Sequence, residues 1–567
     1  MAGGLLNLVS SGQQNVVLNG NPSKTFWKSA YKKYTNFGMQ KFRVDYEGTP
    51  TLKLTESSTF QFKIPRYADL LMDCYLSVTL PNIWSPIMPP VPLAVPTTND
   101  FEHGTSTFTN WAPYEFKWIE YLGAQIISKI TIHCGNQKLQ EFSGTYLMSL
   151  ALRDFSAQKL KLFNEMIGNV PELNDPANAG ARVNSYPNAF YTDNPTGAEP
   201  SIRGRQLFIP LNAWFTLTTQ MAFPLVSLQY NELQIYVTFR PINEWFKIRD
   251  TLDHVNNFPY VAPNFNQYHM QMYRFLQTPP DVALGINSYL DQRSVWFPDI
   301  NLNCTYCFLS NDESQVFAKN EQQYLFKQAN EKVFYNVTGS NKVDLDSLGL
   351  VSSWMFYFQR SDVNLRNEWT NYTNWPYNYL PSDIYPAPTD GSYSVVLING
   401  QAAAIGPGVN PTELLTGLYV TGVYSPQNAK EILLNLGILL DGQYRENLQP
   451  AGVYNYIEKY VRTDGNAPRG LYCYNFSLHT SPYNLQPSGA LNMNRFHQVQ
   501  LEFNTIVPVL DPLAQVLTIC DPVTGIVVGI NKPTWRIYEY NYNLYVMEER
   551  INMVVFVGGN AGLMYAT

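Results

Sequence analysis

The sequence predicts an all-β chain built as two similar domains in tandem, on three observations. First, apolar runs are short, β-branched or aromatic, repeat with a period near two, and are cut by Pro, Gly and Asn. Second, charged residues are only 15% of the 567 and aromatic residues 14%, against about 25% charged in an average soluble chain. Cores are therefore large and much surface is hidden in contacts, where a ring that is part wet suits Tyr. Third, one pattern occurs twice, about half the chain apart. "ITIHCGNQKLQEFSGTY" runs through Gly135-Asn136-Gln137 to Gly144-Thr145-Tyr146, and "LGILLDGQYRENLQPAGVY" runs through Asp441-Gly442-Gln443 to Gly452-Val453-Tyr454. A recurring Gly at a turn marks a recurring backbone shape.

From the N-terminus, the first segment is "NVVLNGNPSKTFWKSAYKKYTNF", residues 15–37. Ser23 suits a helix N-cap after Pro22. Lys24, Lys28 and Lys32 step by four along one face of a helix over 23–34, opposite Phe26, Trp27, Ala30, Tyr31 and Tyr34. With Lys33, Lys41 and Arg43 the first 44 residues hold six cations and no acid, although the chain's formal net charge is −7. This is a basic arm on an acidic body, and an acidic body is a poor whole-surface binder of nucleic acid. Strands are expected in 60–80, 125–135, 231–239, 352–360, 431–442, 470–478, 495–503 and 533–547. Further helices are expected in part of 143–168 and over 320–328. The long polar connections 81–113, 174–201 and 371–410 read as ordered surface projections, given their Tyr and Trp.

Catalytic signatures are missing from the sequence. No two of His103, His133, His254, His269, His479 and His497 stand at i, i+4, and no H-E-x-x-H, G-x-S-x-G or P-loop occurs. Glu115, Glu120, Glu548 and Glu549 define no glycosidase pair by spacing, and Asp344-Leu345-Asp346 reads as a solvated strand edge. Cys304 and Cys307 form a lone C-x-x-C in a strand-like run, without the second pair a zinc site wants. No catalytic, metal or cofactor site is therefore expected. Asn303, Asn336, Asn371 and Asn475 head the four glycosylation sequons. No secretory signal and no apolar run long enough to span a membrane are read. A secreted β-sandwich that binds or hydrolyses glycans would share the Tyr, Trp and strand content, and remains the alternative. A trimeric viral spike or fibre would call for a tail-like repeat or coiled coil, and neither is read.

Several stretches resemble the double jelly-roll major capsid proteins of nucleocytoplasmic large DNA viruses. The opening M-A-G-G-L, the turn Leu18 to Pro22, and the run Thr25, Phe26, Tyr31, Tyr34 to Phe37 are similar to that family's start. "FPLVSLQYNELQIYVTFRPI" at 223–242 resembles the stretch that closes the first jelly roll, and 306–328 the opening of the second. "QPSGALNMNRF" at 486–496 is similar to a Q-P-S-G-x-x-N-x-S-R pattern, with Asn494 where Ser is usual, and 538–567 resembles the family's ending.

The resemblance implies two tandem eight-stranded antiparallel jelly rolls, with long loop insertions and a few short helices. It places an N-terminal arm at 1–40, the first jelly roll at 41–246, a linker at 247–294 and the second roll at 295–567. It implies a structural role in the virion: homotrimers forming pseudo-hexagonal capsomers that tile an icosahedral shell assembled in the host cytoplasm. The implied partners are further copies of the chain, minor capsid proteins on the inner face and an inner viral membrane, with no direct genome binding. Lys24, Phe26, Trp27, Lys28, Tyr31, Lys32 and Lys33 are then the candidate partner contacts of the arm.

Overall fold

Leu233–Phe239 shows how the sheets are made: Leu233, Ile235, Val237 and Phe239 are buried and the three residues between them half-buried. A strand turns alternate side chains to opposite faces, so a period of two covers one core. The computed structural model describes residues 2–88, 112–251, 258–281, 288–378, 384–386, 395–398, 401–404, 419–421, 429–508, 510–511, 514, 517–520, 524–531 and 534–565.

Eight such strands make the first sandwich: β1 (Phe37–Asp45), β2 (Ser58–Lys63), β3 (Leu70–Thr79), β4 (Ile127–Cys134), β5 (Gln137–Phe142), β6 (Gln206–Pro210), β7 (Leu233–Phe239) and β8 (Asn301–Leu309). One sheet runs β1-β8-β3-β6 and the other β2-β7-β4-β5. Eight more make the second: β9 (Gln322–Phe334), β10 (Ser340–Leu345), β11 (Leu350–Arg360), β12 (Leu433–Leu440), β13 (Gln443–Pro450), β14 (Leu471–Asn475), β15 (Val499–Thr505) and β16 (Tyr542–Val557). Their sheets run β9-β16-β11-β14 and β10-β15-β12-β13. Both units thus pair strands in the order first-eighth-third-sixth over second-seventh-fourth-fifth, all antiparallel, which is the jelly-roll order. The chain is a double jelly roll.

The repeat in the sequence is the hairpin between the fourth and fifth strands of each roll. β4 turns into β5 through Gly135 at φ +58°, and β12 into β13 through Asp441 and Gly442 at φ +49° and +77°. Asp-Gly with both φ positive is the tight-hairpin combination. The two following glycines are not equivalent. A Cβ on Gly144 would lie 1.9 Å from the Ala124 carbonyl oxygen, whereas at Gly452 the nearest atom is the Tyr456 ring at 3.6 Å.

The structure corrects several expectations. β8 falls in the span 295–567, yet it lies between β1 and β3 of the first roll, with Cys304 opposite both Phe42 and Cys74. A jelly roll's last strand returns beside its first after a long excursion, so sequence order hides its partner. The described part of 247–294 is also folded onto the first roll. Phe246–Arg249 pairs with Phe116–Trp118 and Tyr260–Val261, and Met270, Met272 and Phe275 join the core. No helix forms over 23–34; Ala2–Val9 and Val16–Asn19 are helical instead. Residues 23–34 are all exposed, and helices hold mainly by packing an apolar face. Residues 322–328, expected helical, open β9, which pairs with β16 along thirteen residues; the helix is Asn311–Lys319, just before it. In 143–168 two helices form, Gly144–Asp154 and Ala157–Met166, capped by the Ser143 and Ser156 hydroxyls, which accept from Tyr146 N and Lys159 N. The connections 81–113 and 371–410 lie largely outside the described residues, as do His103 and His254.

Candidate assembly surfaces and the seam between the sandwiches

The two rolls share a packed seam. In β11 the side chains of Trp354, Phe356 and Phe358 enter the second roll's core, while Met355 and Tyr357 between them join the core continuous with the first. β16 does the same with Leu544 and Val546 against Met547. A strand covered on both faces reads as an unbroken apolar run, which accounts for "SSWMFYF". Trp214 of the first roll packs tilted against Tyr324 and Phe326 of β9, and Phe223 meets Phe556 of β16 edge-on.

Charges are buried in this seam. The helix Gly144–Asp154 carries Arg153 and Asp154, and β16 carries Glu549; all three side chains are fully buried. Arg153 Nη2 donates to Asp154 Oδ2 at 2.6 Å and to Glu549 Oε1 at 2.8 Å. The remaining lone pairs are met: Tyr146 and Ser353 hydroxyls donate to Glu549, and Thr480 donates to Asp154. Lys327 Nζ stands 3.7 Å from Glu549 Oε2. Ser143, the N-cap, donates its N–H and hydroxyl to Glu331 of β9 at 2.6 and 2.7 Å. Burial alone would push the Glu549 carboxyl up, but the Arg153 and Lys327 cations outweigh it and hold it at about 2. A folded value below the ordinary carboxylate range stabilises the fold fully above the unfolded value of about 4.3, and that contribution fades as pH falls toward 2. Asp154, pushed up by burial, acts in the opposite sense. The contribution of Glu549 is isolated by Glu549→Gln: chemical-denaturation midpoints measured from pH 7 to pH 2 should fall less steeply below pH 4.5 than in the wild type.

A second clamp is the segment after β11. Lys247 Nζ meets Glu368 Oε1 at 2.5 Å, both nearly buried. Asn367 donates to the Asn243 and Phe246 carbonyls, and Arg240 lies 4.5 Å over the Trp369 ring. At the C-terminal end the Gly559 carbonyl accepts from Gln229 and Tyr230 N–H groups, and its φ of +81° with no room for a Cβ requires Gly. With these clamps the two rolls meet the outside as one block.

Among the apolar residues the block leaves exposed are those of the arm and of one helix. Lys24, Phe26, Trp27, Lys28, Tyr31, Lys32 and Lys33 are all exposed, the three aromatic rings 87–95%. They do not form two faces of a helix; Lys24 Nζ lies 5.2 Å from the Phe26 ring centroid. Leu5, Leu6, Leu8, Val9, Val17 and Leu18 are exposed beside them. In the second roll, residues 453–462 form the helical segment that follows β13, and Tyr456, Ile457, Tyr460 and Val461 stand out at 48–91% exposure.

The carboxylates weighed for catalysis are tied into pairs. Glu115 binds Arg249 and the Tyr260 hydroxyl, Glu120 accepts from Thr370, and Glu548 holds Arg550, Ser347 and Trp354. Asp344 accepts from the Gln498 and Gln500 amides. Cys304 faces Cys74 with sulfurs 3.5 Å apart, whereas Cys307, three residues on, turns to the other face of β8. Of the sequons, Asn371 is 0% exposed and bonds its own Thr373, Asn303 lies inside a sheet and Asn475 donates to Glu458. Only Asn336 of the four stands exposed, in the β9–β10 turn. Among the described residues no group of His, Cys, Asp and Glu is placed to hold a metal ion, and no helix is long and apolar enough to cross a membrane. Arg153 and Asp154 are absent from the residues singled out in the sequence, and Glu549 is weighed there only as a carboxylate without a catalytic partner; the one sequence signal of the cluster is charge inside apolar runs, "SLALRDF" and "YVMEERINMVV".

Residues 25–296 match the family described as major capsid protein N-terminus, and 313–561 match the large eukaryotic DNA virus major capsid protein. A major capsid protein of Chrysochromulina ericina virus is 28% identical over 61% of this chain and 55% of its own length, so the chain spans about half of that relative. One of Phaeocystis pouchetii virus is 24% identical over 96% of this chain and 97% of its own length. Among solved structures, the PBCV-1 VP54 chain fitted into a reconstruction of the virophage Sputnik superposes with a TM-score of 0.57 at 17% identity, covering 96% of this chain and 100% of that one.

Proposed function

The chain belongs to the major capsid proteins of large eukaryotic DNA viruses, and from that premise we propose that three copies close into a pseudo-hexagonal capsomer that tiles an icosahedral shell. The observation that carries this reading is the unequal fate of two matching helices. Gly144–Asp154, after the fifth strand of the first roll, is buried, with Arg153 bonded to β16 and β11 of the second roll and its N-cap Ser143 bonded to β9. Its counterpart after the fifth strand of the second roll presents Tyr456, Ile457, Tyr460 and Val461 to the outside. Docking that helix on the first roll of the next chain repeats the internal contact, head to tail. Three chains then close a ring of six sandwiches, the heterologous arrangement that closes when its rotation does.

In this reading the protein works as a brick and performs no catalysis, and its place is the virion, assembled in the host cytoplasm. The first roll ends with β8 at Leu309 and the second begins with β9, and residues 2–36 form an arm below the first roll. The arm docks on minor capsid proteins of the inner face, with an inner viral membrane as the neighbouring surface, and the acidic body makes no direct genome contact. Light scattering on the purified chain should give three times 64.7 kDa. Tyr460→Asp with Val461→Asp should give the monomer mass with the far-UV circular dichroism of the folded chain unchanged. A monomeric wild type, or a trimer that survives the double variant, would sink the docking mode.

A further inference from the structure

We propose that the cleft along the seam, roofed by residues 477–489, binds a small amphipathic molecule: an acyl chain whose head offers only acceptor oxygens. The cleft opens to solvent between the two rolls, and both supply its lining. Leu150, Leu217 and Met221 of the first roll and Phe326, Leu485 and Ile551 of the second give it apolar walls.

Two donors are left over there. Trp214 is 2% exposed and its indole N–H has no partner; nor does the Asn212 side-chain NH₂. A buried donor without a partner costs free energy that a ligand's acceptor recovers. The one carboxylate among the described lining residues, Glu549, already accepts from Arg153, Tyr146 and Ser353. Nothing there calls for a cationic head, and the free donors call for a carboxylate or ester oxygen. The roof is the Q-P-S-G loop of the sequence. Ser488 Oγ accepts from His479 N–H and donates to the His479 carbonyl, pinching 479–488 into a closed flap over the cleft. Because both rolls supply walls, an occupant ties them together, and a ligand that binds only the folded state raises its stability. This site is independent of how copies associate.

The test is thermal unfolding of the full chain with decanoate, methyl decanoate or decylamine, each below its micellar concentration. The acceptor-headed probes should raise the midpoint and decylamine should not; a response to decanoate alone marks a charged head, a response to both a carbonyl. Trp214→Phe keeps the ring and removes the N–H. Without ligand it should unfold at or above the wild-type midpoint, and it should bind decanoate about tenfold more weakly, the loss of about 1.4 kcal/mol. Asn212→Asp should shift preference toward decylamine. The proposal is overturned by no response to either acyl probe, by an equal response to decylamine, or by unchanged binding in Trp214→Phe.

Discussion

Replacing Arg153 by Met should destabilise the chain by about 3–5 kcal/mol, read as a lower denaturant midpoint at unchanged slope. Arg153 is 0% exposed and reaches two carboxylates that belong to different rolls. Met fills most of the aliphatic stem, so the cavity is small and the charge is what is lost. What remains is Asp154 and Glu549, both buried, with hydroxyl donors and only Lys327 at 3.7 Å as counter-charge. An uncompensated buried charge is far more costly than an absent pair. The triple variant Arg153→Met, Asp154→Asn, Glu549→Gln should therefore recover most of the loss. If the triple variant is as unstable as the single one, packing and not charge accounts for the seam.

The two sandwiches were readable in the sequence wherever one face of a strand is wet. "LQIYVTF" and "VQLEFNT" alternate cleanly because each covers one core. The paired hairpins were readable too, since a turn at positive φ restricts its residues locally. Other features depend on what lies beyond the local window. β8 carries no mark of its partner, because its neighbours β1 and β3 stand over 220 residues away. β9 begins "QQYLFKQ", whose spacing suits a helix as well as a strand, and thirteen residues of pairing with β16 decide it. Residues 23–34 form no helix for the converse reason: the amphipathic pattern is present, but no described residue packs on its apolar face, since all twelve stand exposed. The seam charges escaped because charge is normally read as surface. Only the fold reveals that both faces of β11 and β16 are covered. The arm's composition, by contrast, is a local property of the first 44 residues and is legible without the fold.

Deleting residues 2–34 should leave folding and the trimer intact and abolish closed shells. No described residue before Val44 is buried, and β1 begins at Phe37. The deletion therefore removes no core contact, and the unfolding midpoint should move by no more than a surface change does, about 0.5 kcal/mol. What it removes is a row of exposed apolar side chains from Leu5 to Tyr34 and four lysines with no acid among them. Two narrower variants separate the forces. Phe26→Ser, Trp27→Ser and Tyr31→Ser together keep the charge and strip the rings; Lys24→Gln, Lys28→Gln, Lys32→Gln and Lys33→Gln do the reverse. Each lysine held near an anionic membrane is worth about 1 kcal/mol and is screened by salt, whereas burial of three aromatic rings is nearly salt-independent. Docking on a protein partner predicts that the ring variant stops shell closure at every ionic strength while the lysine variant still closes. Attraction to an anionic surface predicts the opposite pattern, with wild-type closure itself weakening as salt rises. Closed shells from the full deletion, counted by electron microscopy, would remove the arm from assembly altogether.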